Sequence, residues 1–163
     1  MGNVAADSRF GILWRNAEGG TAARNLVRGN CVGIMVLSGI EGLPGLAGDL
    51  TMRDNLIRGN TRACEESDEG PAISGVGIAL AGAHDSRVTH NHIMGNVPTG
   101  PTAFSGGVAV VKDFLGTAPK DNQVVGNVLR RNDPDLFWDG SGSGNVFRHN
   151  NCKTSDPAGL CEH

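Results

Sequence analysis

A chain of 163 residues with 39% hydrophobic content is long enough for one domain with a core and too apolar for a disordered segment. A net charge of -3, a pI near 5.9 and scattered Lys and Arg exclude a nucleic-acid or anionic-membrane surface. No apolar run approaches the roughly 20 residues that span a bilayer, and Met1 runs into Gly2 and Asn3 without the charged-then-apolar order of a signal peptide.

In chain order, a closing Asn recurs at Asn3, Asn30, Asn60, Asn96 and Asn132, at intervals of 27, 30, 36 and 36 residues. Short apolar beats opened by glycine lie between these marks, at Gly11, Gly33, Gly77 and Gly107. The Asn-x-apolar-x-x-Asn half repeats again as Asn122 to Asn127 and Asn145 to Asn150. A basal unit of 22 or 23 residues with insertions accounts for every interval. Self-similarity at that period predicts a solenoid. Gly and Asn inside each unit, and apolar positions in beats of two or three, disfavour helices and predict short strands with tight corners. Three strands per unit coil into one turn of a parallel β-helix, with turns about 4.8 Å apart. The expected corner holds Asn in left-handed geometry, with equivalent side chains hydrogen-bonded up the stack.

The Asn-x-[Val/Ile/Leu]-x-x-Asn pattern followed by Gly-Ile-x-Leu resembles the right-handed parallel β-helix repeat of pectate-lyase-like proteins, from Asn3 to Asn150. The resemblance implies an all-β, right-handed parallel β-helix solenoid of about five to six turns. That fold hosts lyases, hydrolases, epimerases and non-catalytic proteins, so it leaves function open.

Residues 1–150 are expected to form the β-helix, beginning at the closing corner of a repeat, and residues 151–163 a C-terminal cap or tail loop. A start without a cap suggests a fragment of a longer chain, or an edge that packs on a missing segment or another subunit. Phe137 and Trp138 fall near the last turn. Cys152 and Cys161 bracket a polar loop that a disulfide would close outside the reducing cytosol. Cys31 and Cys64 suit either a stacked pair or two buried thiols. The predicted location is secreted or extracytoplasmic, of bacterial type.

Insertions gather at two corners, Thr61 to Val76 with Val97 to Gly106, and Ser38 to Asp54 with Lys112 to Asp121. Loops on one corner of a solenoid build the wall of a groove, where function usually sits. The second corner collects Glu18, Glu41, Asp49, Asp54, His84, Asp85, Arg87, Lys112, Asp113, Lys120 and Asp121. A polyuronate lyase needs a cation or Arg to neutralise the sugar carboxylate and a Lys, Arg or His to remove a proton. The candidate catalytic residues are therefore Lys112, His84 and Arg87. Asp85, Lys120 and Trp14 are candidate substrate contacts, and Asp85, Asp113 and Asp121 candidate ligands for Ca²⁺. The competing reading is an ordinary solvated corner.

His84, His90 and His92 fall within nine residues but lack a third partner at ligand spacing, so they read as surface histidines. The acidic run Glu65 to Gly70 lacks the order of a calcium loop and reads as a flexible acidic loop. The paired Asp, Gly-His-Gly and Arg-x-Lys set of polygalacturonases does not occur. Asp133-Pro134-Asp135-Leu136 keeps only part of the epimerase Asp-Pro-His-Glu, and the absence of Tyr removes a common lyase acid. Two functions stand against each other: a module that binds or acts on polysaccharide, and a non-catalytic structural or assembly segment.

Overall fold

The computed structural model describes residues 1–39 and 46–161; Glu41 of the titratable corner lies outside them. The chain winds through five complete turns and starts a sixth. The first turn holds β1 (Val4–Ala6), β2 (Phe10–Arg15) and β3 (Glu18–Ala23), and the second β4 (Leu26–Arg28), β5 (Val32–Leu37) and β6 (Gly48–Arg53). The third holds β7 (Leu56–Arg58), β8 (Val76–Ala81) and β9 (Arg87–Thr89), and the fourth β10 (His92–Met94), β11 (Gly106–Val111) and β12 (Gln123–Val125). The fifth holds β13 (Val128–Arg130), β14 (Leu136–Trp138) and β15 (Val146–Arg148), after which β16 (Ser155–Asp156) pairs with β14.

Equivalent strands of successive turns pair in parallel, giving a first sheet β1-β4-β7-β10-β13, a second β2-β5-β8-β11-β14-β16 and a third β3-β6-β9-β12-β15. This is a right-handed parallel β-helix. Register is unbroken along its axis: Val27, Ile57, Ile93 and Leu129 align in the first sheet. All four are fully buried, each contributing about 1.5–3 kcal/mol of apolar burial.

Two asparagine ladders hold the corners. In one, Asn25 donates its backbone N–H and its Nδ2 to Asn55 Oδ1, both at 3.0 Å. The same two bonds repeat from Asn55 to Asn91, Asn91 to Asn127 and Asn127 to Asn150. The other runs Asn30, Asn60, Asn96 and Asn132. Each buried amide is satisfied by its neighbour, which avoids the ~1–3 kcal/mol of an unpaired buried donor. A shorter run, Ser86, Asn122 and Asn145, lies between the second and third sheets.

Two sequence expectations need correction here. The left-handed residue is not the ladder Asn but the one before it: Arg24, Asp54, His90 and His149 have φ near 55°, with Gly29, Gly59, Gly95 and Gly126 equivalent. That residue turns the backbone so that the Asn side chain enters the stack. Asn3 belongs with Asn25, since its N–H donates to Asn25 Oδ1 and Val4 pairs with Leu26. Ser8 occupies the position equivalent to Asn30.

The glycines that open the second-sheet strands answer to crowding. A Cβ on Gly33 would stand 2.5 Å from the Gly77 carbonyl oxygen and 3.0 Å from Asn60 Nδ2, so only a hydrogen fits between ladder and neighbouring turn.

The middle strands of the second sheet, β5, β8 and β11, are buried on both faces. Alternation sends Ile34, Val36, Ile78, Leu80, Val108 and Val110 into the coil. Met35, Leu37, Ala79, Ala81, Ala109 and Val111 form a second core on the outside, joined by Phe10, Phe104 and Phe137. Residues 59–75 roof that outer core. The Cys31–Cys64 disulfide anchors them, and Arg9 donates to the carbonyls of Glu65, Gly70 and Pro71 at 2.8, 3.2 and 2.8 Å. The second disulfide, Cys152–Cys161, closes a loop that sets Leu160 against the inner core at the last turn. Trp138 and Phe147 pack there as a tilted pair, 6.3 Å between centroids.

Candidate functional site

The corner between the second and third sheets builds an open polar cleft of about 550 Å³. Its geometry follows from register. Gly48, His84, Lys120 and Ser143 are bridged in sequence along the axis, so Asp49, Asp85 and Asp121 come next in three successive turns. Each has a left-handed backbone, with φ of 51°, 48° and 54°. Asp tolerates that conformation better than most residues, and each precedes a residue whose side chain turns inward. The carboxylates therefore project outward in a row. Two residues later, strand alternation points Thr51, Arg87 and Gln123 to the same face, in direct register. Glu18 lines the cleft in the first turn from the neighbouring row, opposite Gly48.

Gly48 and His84 are fitted to each other. A Cβ on Gly48 would fall on the His84 ring, so the imidazole lies over bare backbone. From there His84 Nδ1 meets Asp85 Oδ2 at 3.0 Å. Lys120 Nζ stands 3.8 Å from Asp121 Oδ2. The lining carries four carboxylates, one guanidinium and one imidazole, a negative cleft that both donates and accepts hydrogen bonds.

The structure brings together His84, Arg87, Asp85 and Asp121 of the expected residues, with Lys120 beside Asp121. It leaves three elsewhere. Lys112 follows the end of β11, away from the cleft lining, and its N–H donates to Asp139 Oδ2. Asp113 is buried, and its Oδ1 accepts the N–H groups of Leu115 and Thr117, which closes its own loop. Trp14 packs against the inner core at the first turn. Asp54 sits at a different corner, ahead of Asn55, paired with Arg53 at 2.7 Å. His90 and His92 line a shallow surface depression with Asp54, apart from His84. Thr51 and Gln123 escaped the sequence reading, although their signal was present: each lies two residues after an Asp of the row.

Fold and cleft define the class: a parallel β-helix that presents polar side chains in rows on one loop-walled corner. The chain belongs to the NosD family, described as periplasmic copper-binding protein, whose pattern it matches over residues 1–159. No curated protein and no solved structure matches it. With two disulfides, which persist in oxidising compartments, the chain is an extracytoplasmic β-helix module.

Copper finds no fitting donor set among the described residues. The four cysteines are consumed in disulfides. Met35 and Met52 are fully buried in the cores, Met94 is half-buried on β10 and Met1 is exposed. Among the described residues, no three His, Cys, Asp or Glu side chains converge to hold a metal ion.

Proposed function

We propose that this module binds an extended, polyhydroxylated glycan along the Asp49–Asp85–Asp121 corner. The observation that carries the reading is the register of two polar rows, the three aspartates and Thr51–Arg87–Gln123, repeated once per coil. The coil spacing of about 4.8 Å is comparable to the advance of one sugar residue along an extended chain. A polymer lying along the axis would thus meet the same kind of donor and acceptor at each step. Hydroxyl groups suit carboxylate, amide and guanidinium partners, and the open, wet geometry suits binding. The reading is binding: Lys112 and Asp113 stand outside the cleft, while His84 and Arg87 line it as polar contacts.

Calorimetric titration with polyuronate, neutral and amino-sugar polymers tests it. Binding that weakens in Arg87→Ala and Asp85→Ala, with no ultraviolet absorbance from an unsaturated product, is the expected result. No binding to any polymer would sink the reading. A rising absorbance abolished in His84→Ala would replace it with a lyase.

A second reading, a non-catalytic structural or assembly segment, is supported by the first turn. Its outer side carries a hollow of about 320 Å³ lined by Ala5, Ile12 and Trp14. Sedimentation velocity over a concentration series tests this reading. A single monomeric species at every concentration would argue against self-assembly.

A further inference from the structure

We propose that a second groove, on the outer face of the second sheet, docks a basic, apolar peptide segment of a partner protein. The groove encloses about 470 Å³ between two loops that come from different corners. Leu37 and Pro71 contribute its apolar floor. Phe114 and Leu115 form one wall and are 46% and 54% exposed, an adjacent pair of large apolar side chains left open to water. The opposite wall is the turn bearing Glu66, Asp68 and Glu69; Arg15 also lines the groove, so three carboxylates outweigh one guanidinium among the described lining residues.

Charge complementarity selects the occupant. Glu69 stands 3.8 Å from Arg9 Nε, whereas Glu66 and Asp68 are exposed and have no cationic partner within 4.0 Å among the described residues. Phe114 and Leu115 line the same groove as these carboxylates, with Leu37 and Pro71. A Lys or Arg stem can lie along Phe114 and Leu115 while its head reaches the carboxylates, and a neighbouring Leu or Phe fills the floor. Leu115 and the Leu37–Pro71 floor offer a glycan no side-chain hydrogen-bond partner, and an acidic peptide would meet three carboxylates against one arginine.

Both walls are set in advance. Cys31–Cys64 and the three carbonyl bonds of Arg9 hold the acidic turn. Asp113 holds the other loop through the Leu115 and Thr117 amides. The Phe114 ring rests over Gly70, where an added Cβ would come within 3.5 Å of it, so the loops meet across the sheet. A preformed groove spares the ordering cost that weakens binding to a loose one.

The test is fluorescence anisotropy with a labelled twelve-residue peptide of Lys, Leu and Phe, beside an analogue with Glu for Lys. Wild-type protein should bind the basic peptide at least about tenfold more tightly than the acidic one. Leu115→Ser and the pair Glu66→Gln with Asp68→Asn should each weaken binding by about tenfold or more. A charge-matched pair on another surface, Asp7→Asn with Asp54→Asn, should leave it within about twofold. Circular dichroism and melting confirm that each variant is folded. Absence of binding, equal binding of both peptides, retained binding in either groove variant, or equal loss in the charge-matched pair would each overturn the proposal.

Discussion

Asn132 donates its backbone N–H and its Nδ2 to Asp135 Oδ1, at 3.1 and 2.9 Å, where every earlier member of its ladder donates to an asparagine one turn onward. Asp135 is 2% exposed, and its second oxygen accepts the N–H groups of Lys153 and Thr154. A carboxylate three residues downstream thus ends the stack and ties it to the C-terminal loop. Asp135→Ala strands two Asn132 donors and the amides beyond, each worth about 1–3 kcal/mol when left buried and unpaired. Asp135→Asn keeps one acceptor and should lose less. Urea midpoints for the two variants should fall in that order.

Gly33 and Gly59 separate two reasons for glycine. At Gly33 a methyl group would meet the Gly77 carbonyl and Asn60, so Gly33→Ala is predicted to cost about 1–3 kcal/mol or more from overpacking. Gly59 has open space around it and φ of 60°. There Gly59→Ala should cost about 1–2 kcal/mol, from the left-handed backbone alone. Gly59→Asn should recover part of that loss, and Gly33→Asn none. Chemical denaturation of the four variants checks the pattern.

Loss of the Cys31–Cys64 disulfide, by Cys31→Ser with Cys64→Ser, should lower stability by about 2–4 kcal/mol. The more telling readout is position. Limited proteolysis should begin within residues 61–75, since this loop then loses its one covalent anchor and is held by Arg9, by the Arg62 bonds to Asp7 and Asn30, by Phe114 against Gly70 and by contacts with residues 97–105. Cleavage first at another loop would contradict the roof assigned to this segment.

Leu129→Ala empties a fully buried position of the inner core and should cost about 2–5 kcal/mol. Arg87→Ala, on the exposed face of β9, should move the melting point little, within about 0.5 kcal/mol. A large loss for Arg87→Ala would make the cleft part of the scaffold.

The repeat was legible because stacking forces chemistry onto single positions. Asn at the corners and Gly before the second-sheet strands are dictated by neighbours one turn away, so they recur visibly. The left-handed residue was missed because its identity varies from Arg24 to Asp54 to His90; it needs only a backbone angle. Asp135 hid because one residue closes a ladder once, with no period to betray it. In the cleft, Asp85 and Asp121 stood out at equal spacing, while Lys112 and Asp113 were carried off by the loop that follows β11. The outer core was invisible from pattern: a strand buried on both faces shows no alternation, and only the loops that cover it reveal which residues face outward.

The roof over that outer core changes how the molecule should come apart. In a bare solenoid each coil touches only its neighbours, and fraying can travel inward one coil at a time. Here Arg9 of the first turn grips a loop from the third, Cys31 of the second is bonded to it, and Phe114 of the fourth rests on it. The loop acts as a lashing laid lengthwise over four coils. Peeling the first turn by force should therefore release nothing until the lashing yields, after which four turns open together in one large step.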